Sequence, residues 1–213
     1  MPGRVKILSE KRVFDRFLKI DEITHTHETY SGPDSPKLVR FVMERGDSVA
    51  ALVHDVENGD VLLAEQFRIA TYRHGPGWIA ETAAGAIEAQ EDPEEAMRRE
   101  ILEELGYRVR RLSKIGLFYV SPGGASERIH LFYAKVRPSM LVDASASGAR
   151  EEDEDIRTLR IPVKKFLLKI NKMEIQDAKT LVAGQWLANR IARDELAALR
   201  AQIRASKAPA KSR

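Results

Sequence analysis

The chain has 213 residues and a mass of 24.0 kDa. That is long for one ordinary domain and short for two, so one domain with added elements is expected. Hydrophobic residues at 43% and charged residues at 31% exclude a disordered or collagen-like chain. Lys plus Arg at 35 against Asp plus Glu at 32 leave a formal charge of +3, too balanced to argue for nucleic acid.

There is no cysteine, which excludes disulfides, thiolate metal sites and a cysteine nucleophile and fits a reducing compartment. No apolar run approaches the ~18 residues of a membrane span. The opening MPGRVKILSEKR has no apolar signal core. A cytoplasmic protein without a membrane partner is the expectation.

The first 45 residues read as strands. Phe17 to Tyr30 is rich in β-branched and aromatic residues, meets the turn cluster SGPDSP, and returns through Leu38, Val39, Phe41 and Val42, a hairpin signature. A second hairpin joins SVAALVHDV to DVLLAEQF through Asn58-Gly59, a pair suited to a tight type I′ turn. HGPGW is a loop. Residues 92 to 105 carry the clearest helical signals. β-like runs follow at Ile115 to Val120 and Ile129 to Val136, then a small-residue and acidic loop over 139 to 155. Helical periodicity returns over 163 to 170 and 177 to 203. These elements divide the chain into an N-terminal antiparallel β segment (1–45), a mixed α/β domain (46–203) and a basic, frayed tail (204–213).

The chemistry concentrates in the central helix. Asp92 is an N-cap, Pro93 opens the helix, Glu95 completes a capping box, and Gly106 stops it. At about 100° per residue, Met97, Ile101, Leu102 and Leu105 share one face, while Glu100, Glu103 and Glu104 fall within roughly 100° of arc on the other. Three carboxylates at this spacing repel one another. Two readings remain open at this point: a solvated acidic face, or an oxygen-only site for a hard cation such as Mg²⁺ or Mn²⁺.

The wider spacing carries more information. Gly85 is followed by five residues and Glu91, then seven residues and Arg99-Glu100. Ile101, Leu102, Glu103-Glu104, Leu105, Gly106 and Tyr107 come next. This pattern resembles the signature of the Nudix hydrolases. The resemblance implies an α/β/α sandwich with a mixed sheet, a cation held by Glu100, Glu104 and the Ala84 carbonyl, and Glu103 as a further or water-bridged ligand. Gly85 allows a tight turn, and Glu91 with Arg99 forms an ion pair that fixes the loop against the helix.

Three further segments resemble the branch that cleaves nucleoside diphosphate sugars, the ADP-ribose and GDP-mannose pyrophosphatases: EQFRIATYRHGPGWIAETAAG, SPGGASER and EEDEDI. Arg68 is either a phosphate contact or a surface arginine at a strand end. Gly123 and Gly124 lie in a turn whose backbone could approach a ligand. Glu127 matches the glutamate that contacts a ribose in that branch, or is a surface glutamate. Within the acidic run Glu152 matches the general base and Glu154 a supporting residue, with a register open by one or two positions. The five histidines lack metal-ligand spacing, and Trp78 and Trp186 read as core anchors.

The expected activity is Mg²⁺-dependent hydrolysis of a diphosphate linkage, with ADP-ribose giving AMP and ribose 5-phosphate. GDP-mannose, another nucleotide sugar or a dinucleoside polyphosphate is the alternative substrate. A catalytically silent ADP-ribose sensor is the alternative from another class. Related enzymes form homodimers in which N-terminal strands cross to the partner, and the strand-rich first 45 residues suit such a role.

Overall fold

The computed structural model describes residues 3–146 and 155–207, the last five as backbone only. Three strands open the chain: β1 (Val5–Asp15), β2 (Lys19–His27) and β3 (Leu38–Glu44). They form an antiparallel sheet in the order β1-β2-β3. The expected hairpin between the second and third runs is present, with Ile20 opposite Met43 and Thr24 opposite Val39. Phe17 and Tyr30, placed within a strand by composition, instead lie outside β2 and are 90% exposed. An Arg12–Asp21 ion pair ties β1 to β2. The arginine draws the Asp21 carboxyl below its ordinary pKa, chiefly by hydrogen bonding.

The second sheet is built on β4 (Ser48–Asp55), flanked by β5 (Asp60–Phe67) and β9 (Arg128–Val136), with β8 (Leu112–Tyr119) and β10 (Arg157–Pro162) at the edges. The strand order is β10-β5-β4-β9-β8. Two short strands complete it, β6 (Trp78–Glu81) on β5 and β7 (Ala83–Ala86) on β4. β4 runs parallel to β9 and antiparallel to β5 and β7, so the sheet is mixed.

β4 is apolar on both faces because both faces are covered. Val49, Ala51 and Val53 point into a core shared with Met97, Ile101 and Leu105 of α1 (Pro93–Leu105). Ala50 and Leu52 point into a second core. There they meet Phe166 and Ile170 of α2 (Val163–Asn171) and Leu187 of α3 (Ala178–Lys207). Helix, sheet and helix thus form three layers, the expected α/β/α sandwich preceded by an antiparallel sheet.

Three local expectations change. The β4–β5 turn is not type I′, since Gly59 takes a positive φ of 72° but Asn58 does not. Four residues separate the paired Asp55 and Asp60. The Asn58 side chain donates to Asp55 at 2.7 Å, so a side chain holds the turn that a backbone type was expected to hold.

At the start of α1 the Asp92 carboxylate accepts from the N–H groups of Glu94 (2.8 Å) and Glu95 (3.3 Å). Among the described residues no hydrogen bond returns from Glu95, so this is a one-sided cap rather than a capping box. Finally, α3 continues to Lys207, four residues into the segment read as tail.

Candidate functional site

The register of the large sheet gathers the candidate segments at one end. The start of β4 pairs with both β7 and β9, with Ser48 opposite Ala86 on one side and Ile129 on the other. β5 runs the opposite way and ends at Phe67, so Arg68 emerges at that same end. β10 begins there too, with Arg157 opposite Glu65. Residues far apart in sequence (Arg68, Gly85, Glu127 and Asp155) are therefore delivered to one rim.

α1 lies across β7 with two of the three carboxylates Glu100, Glu103 and Glu104 turned inward. Glu100 is 9% exposed and Glu104 1%, whereas the Glu103 side chain is 35% exposed. A solvated acidic face would leave all three in water. Burying ionised carboxylates is costly without compensating charge or hydrogen bonds. Glu104 accepts from the Ala84 N–H at 3.3 Å. In an antiparallel ladder the N–H and C=O of one residue leave on the same edge, so the Ala84 carbonyl is directed to the side from which Glu104 approaches. A β-carbon on Gly85 would fall within the Glu100 carboxylate, so the absence of a side chain at 85 leaves room for that carboxylate against the strand.

Arg99 binds these pieces together. Its Nε and Nη2 donate to the Glu91 carboxylate at 3.2 and 3.1 Å, and Nη2 also donates to the Ala86 carbonyl at 3.2 Å. Its Nη1 reaches Glu100 at 2.7 Å and Glu103 at 3.2 Å. Glu91 is the first cause of a raised Arg99 pKa, with Glu100 adding to it. The same contact holds the Glu91 carboxyl below its ordinary range. One guanidinium thus joins the loop after β7 to two glutamates of the helix. Among the described residues no three carboxylates or imidazoles form a ready-made metal cage.

Arg68 donates through Nε to Glu81 at 2.8 Å. Glu81 is buried and also accepts from Lys179 of α3 at 2.9 Å. Lys179 reaches Asp177 at 2.7 Å, and Asp177 in turn takes the Thr180 hydroxyl at 2.7 Å and the Thr180 N–H at 2.9 Å. Burial alone would depress the Lys179 pKa, but Glu81 and Asp177 outweigh it and raise it. Arg68 is therefore aimed by a buried chain of charges, none of which the sequence pattern singled out. Glu81 stands in a quoted segment; Lys179 gave no signal.

Glu127 accepts from the Ser48 hydroxyl at 2.6 Å and stands beside the start of β4. Gly123 and Gly124 are exposed. The Gly124 carbonyl accepts from the Met43 N–H at 2.8 Å, and the Ser126 N–H donates to the Met43 carbonyl at 3.0 Å. The SPGG turn is therefore the dock on which the N-terminal sheet rests.

Gly106 caps α1 with a φ of 75°. Trp78 is not a core anchor: it is 50% exposed and meets Phe67 edge-on at 5.8 Å, leaving aromatic surface next to Arg68. Trp186 is partly buried against Tyr133, with ring centroids 5.1 Å apart. Glu152 and Glu154 lie outside the described residues. No described helix is long and apolar enough to cross a membrane.

Comparison with known proteins agrees with this fold. A family model described as NUDIX domain matches residues 44–183. The chain is 34% identical over 189 residues to a GDP-mannose pyrophosphatase of Citrobacter koseri, covering 88% of this chain and 96% of that protein. It is 35% identical over 194 residues to a GDP-mannose pyrophosphatase of Cronobacter sakazakii, covering 89% and 98%. A crystal structure of an ADP compounds hydrolase superposes with a TM-score of 0.62 at 17% identity, over 89% of this chain and 97% of that one. That likeness speaks for the fold.

Proposed function

The chain belongs to the Nudix family, and from that premise we propose that it hydrolyses the diphosphate bond of a nucleoside diphosphate sugar with the help of a divalent cation. The observation that carries the reading is the burial of Glu100 and Glu104 against the backbone of Ala84 and Gly85. An oxygen-only donor set of this kind fits Mg²⁺, with Mn²⁺ as substitute. The donors are the Glu100 and Glu104 carboxylates and the Ala84 carbonyl, with Glu103 at the outer edge. When bound, the cation supplies neutralisation of diphosphate charge and acidification of water.

The protein's own groups do the rest. Arg99 sets the Glu100 and Glu103 carboxylates against the loop after β7. Arg68, aimed by Glu81, offers its remaining guanidinium N–H groups to a phosphate oxygen. Glu127 and the Gly123–Gly124 turn approach the nucleoside side. A carboxylate of the acidic run, Glu152 first and Glu154 as its support, takes the proton from the attacking water. In-line displacement at phosphorus then releases a nucleoside monophosphate and a sugar phosphate.

Two substrates lead. The relatives at about a third identity over nearly their whole length carry the name GDP-mannose pyrophosphatase, which favours cleavage to GMP and mannose 1-phosphate. ADP-ribose, cleaved to AMP and ribose 5-phosphate, is the other, since the segments around Arg68 and Gly123 are common to both branches and do not discriminate. The N-terminal sheet is read as the contact of a homodimer.

Product identification by chromatography settles the function. The purified chain is incubated with GDP-mannose, ADP-ribose and diadenosine polyphosphates, with Mg²⁺ and with Mn²⁺. A monophosphate and a sugar phosphate from one of the first two is expected. Saturable nucleotide binding without any product under either metal would overturn the enzymatic reading.

A further inference from the structure

The opposite end of the large sheet holds a second feature. A cleft of about 700 Å³ opens where β9 ends and β8 begins, closed on one side by α3. Gly85 pairs with Val49 at the start of β4, while the cleft is lined by Val56, just past its end. Seven residues of strand separate the two, a span of about 23 Å.

Six cations line the cleft: Arg108, Arg110, Arg111, Lys135, Arg137 and Arg190. No described carboxylate does. Arg137 is paired with Glu57 at 3.3 Å, and Arg190 lies over the rings of Tyr133 and Trp186 at 5.5 and 5.2 Å. The other four, Arg108, Arg110, Arg111 and Lys135, are exposed along the same lining. The floor is apolar, formed by Val109, Val136 and Met140.

A concave, one-signed site with a low-dielectric floor concentrates the field of its charges. Four neighbouring cations repel one another, and that repulsion is relieved by an anion carrying several charges. Guanidinium groups match phosphate oxygens in particular. The volume suits a small ligand rather than a macromolecule.

We propose that this cleft is an anion site for a small molecule bearing an oligophosphate chain, separate from the site of diphosphate hydrolysis. The ligand bridges Arg108, Arg111 and Lys135, with its apolar portion, where present, against Val109 and Met140. The proposal does not depend on the hydrolytic reading, because it stands on different residues at the other end of the strands.

The test is calorimetric titration of the full chain with inorganic tripolyphosphate and with ATP. It is run in buffer freed of divalent cations, at about 0.1 M salt, where surface charges are already screened. One saturable site is expected. The double variant Arg111→Glu with Lys135→Glu should weaken binding by about tenfold or more. Its nucleotide-sugar turnover should stay within about twofold of the parent, which also shows that it is folded.

ATP binding much more tightly than tripolyphosphate supports a nucleotide as the ligand, and equal affinities support an inorganic one. No saturable binding of either probe overturns the proposal, as does binding indifferent to the charge reversal. Tighter capture of a single-stranded oligonucleotide, with the steep salt dependence of many phosphate contacts, overturns it in favour of nucleic acid.

Discussion

The carboxylate of Glu100 stands in the space that a side chain on residue 85 would need. That carboxylate can stand against strand β7 only because position 85 has no β-carbon. Gly85→Ala must therefore push Glu100, and with it the Arg99 contact at 2.7 Å, away from the loop. A misplacement of about 1 Å at a reacting site can cost about a hundredfold in rate. Turnover of the nucleotide sugar should fall by that order, with the strands themselves kept, as circular dichroism would show. A Gly85→Ala enzyme with wild-type kcat would mean that the closeness of Glu100 to the loop has no catalytic consequence.

Glu104→Gln keeps the volume and the hydrogen bond from the Ala84 N–H but removes a charge from the buried pair. Loss of a group that merely supports a metal ligand costs about 10–100-fold. A direct ligand should cost more, so turnover should drop by over about a hundredfold. The measurement is an initial rate over a range of Mg²⁺ concentrations, with melting temperature as a control on folding. An unchanged rate in a folded variant excludes Glu104 from the cation site.

Much of this was legible along the chain because the signals were local. α1 begins and ends where Asp92, Pro93 and Gly106 set its bounds, each acting within one turn of itself. The apolar runs of β4 and β5 identified the two strands on either side of Asn58-Gly59. What could not be read was set by residues distant in sequence. The β4–β5 turn departs from type I′ because Asp55 is held by Asn58 and, from 105 positions away, by Arg160. Trp78 is half-exposed at the start of β6, where its ring meets Phe67 edge-on across the strand pair. Lys179 and Glu81 meet across 98 positions. The basic cleft collects cations from Arg108 to Arg190 that a net charge of +3 conceals.

Lys179 holds two buried carboxylates together, Glu81 and Asp177. Lys179→Met leaves Asp177 without that cation and Glu81 with Arg68 alone. Removing one partner from a buried ionic group costs about 3–5 kcal/mol. Denaturant unfolding should show that loss, and the remaining activity should carry a raised KM as Arg68 loses the orientation that Glu81 gives it. A variant of unchanged stability would mean that water already reaches this chain of charges.

The side chain of Asp55 is fully buried. Burial favours its neutral form. The hydrogen bonds from Asn58 and from the Glu57 N–H, with the charge of Arg160, outweigh that and keep its pKa below the ordinary value. A depressed folded-state pKa contributes stability that is complete above the unfolded value of about 3.9. The contribution is lost as pH falls through the folded one. Asp55→Asn should cost about 1–3 kcal/mol at neutral pH. The gap between parent and variant should hold steady from about pH 7 to 5 and narrow only below about pH 4. A gap that stays the same at pH 3 would show that the charge of Asp55 plays no part.

The N-terminal sheet leaves Val5 (61%), Ile7 (53%) and Phe41 (59%) exposed, although β-branched and aromatic side chains in strands stabilise by packing. A three-stranded sheet needs such packing to persist, and its contacts with the rest of the chain run through Met43 and the SPGG turn. In the proposed homodimer a second copy of the chain would supply the missing cover, with the covered sheet beside Gly124, on which Met43 docks. Light scattering at micromolar concentration should give about 48 kDa, twice the chain mass. Phe41→Glu puts a charge into that contact, where an unpaired one is costly. It should return the mass to a single chain and raise KM for the nucleotide sugar, since Met43 and Gly124 then lose the support that fixes the turn. A monomeric parent protein with full activity would leave the exposed apolar face without this explanation.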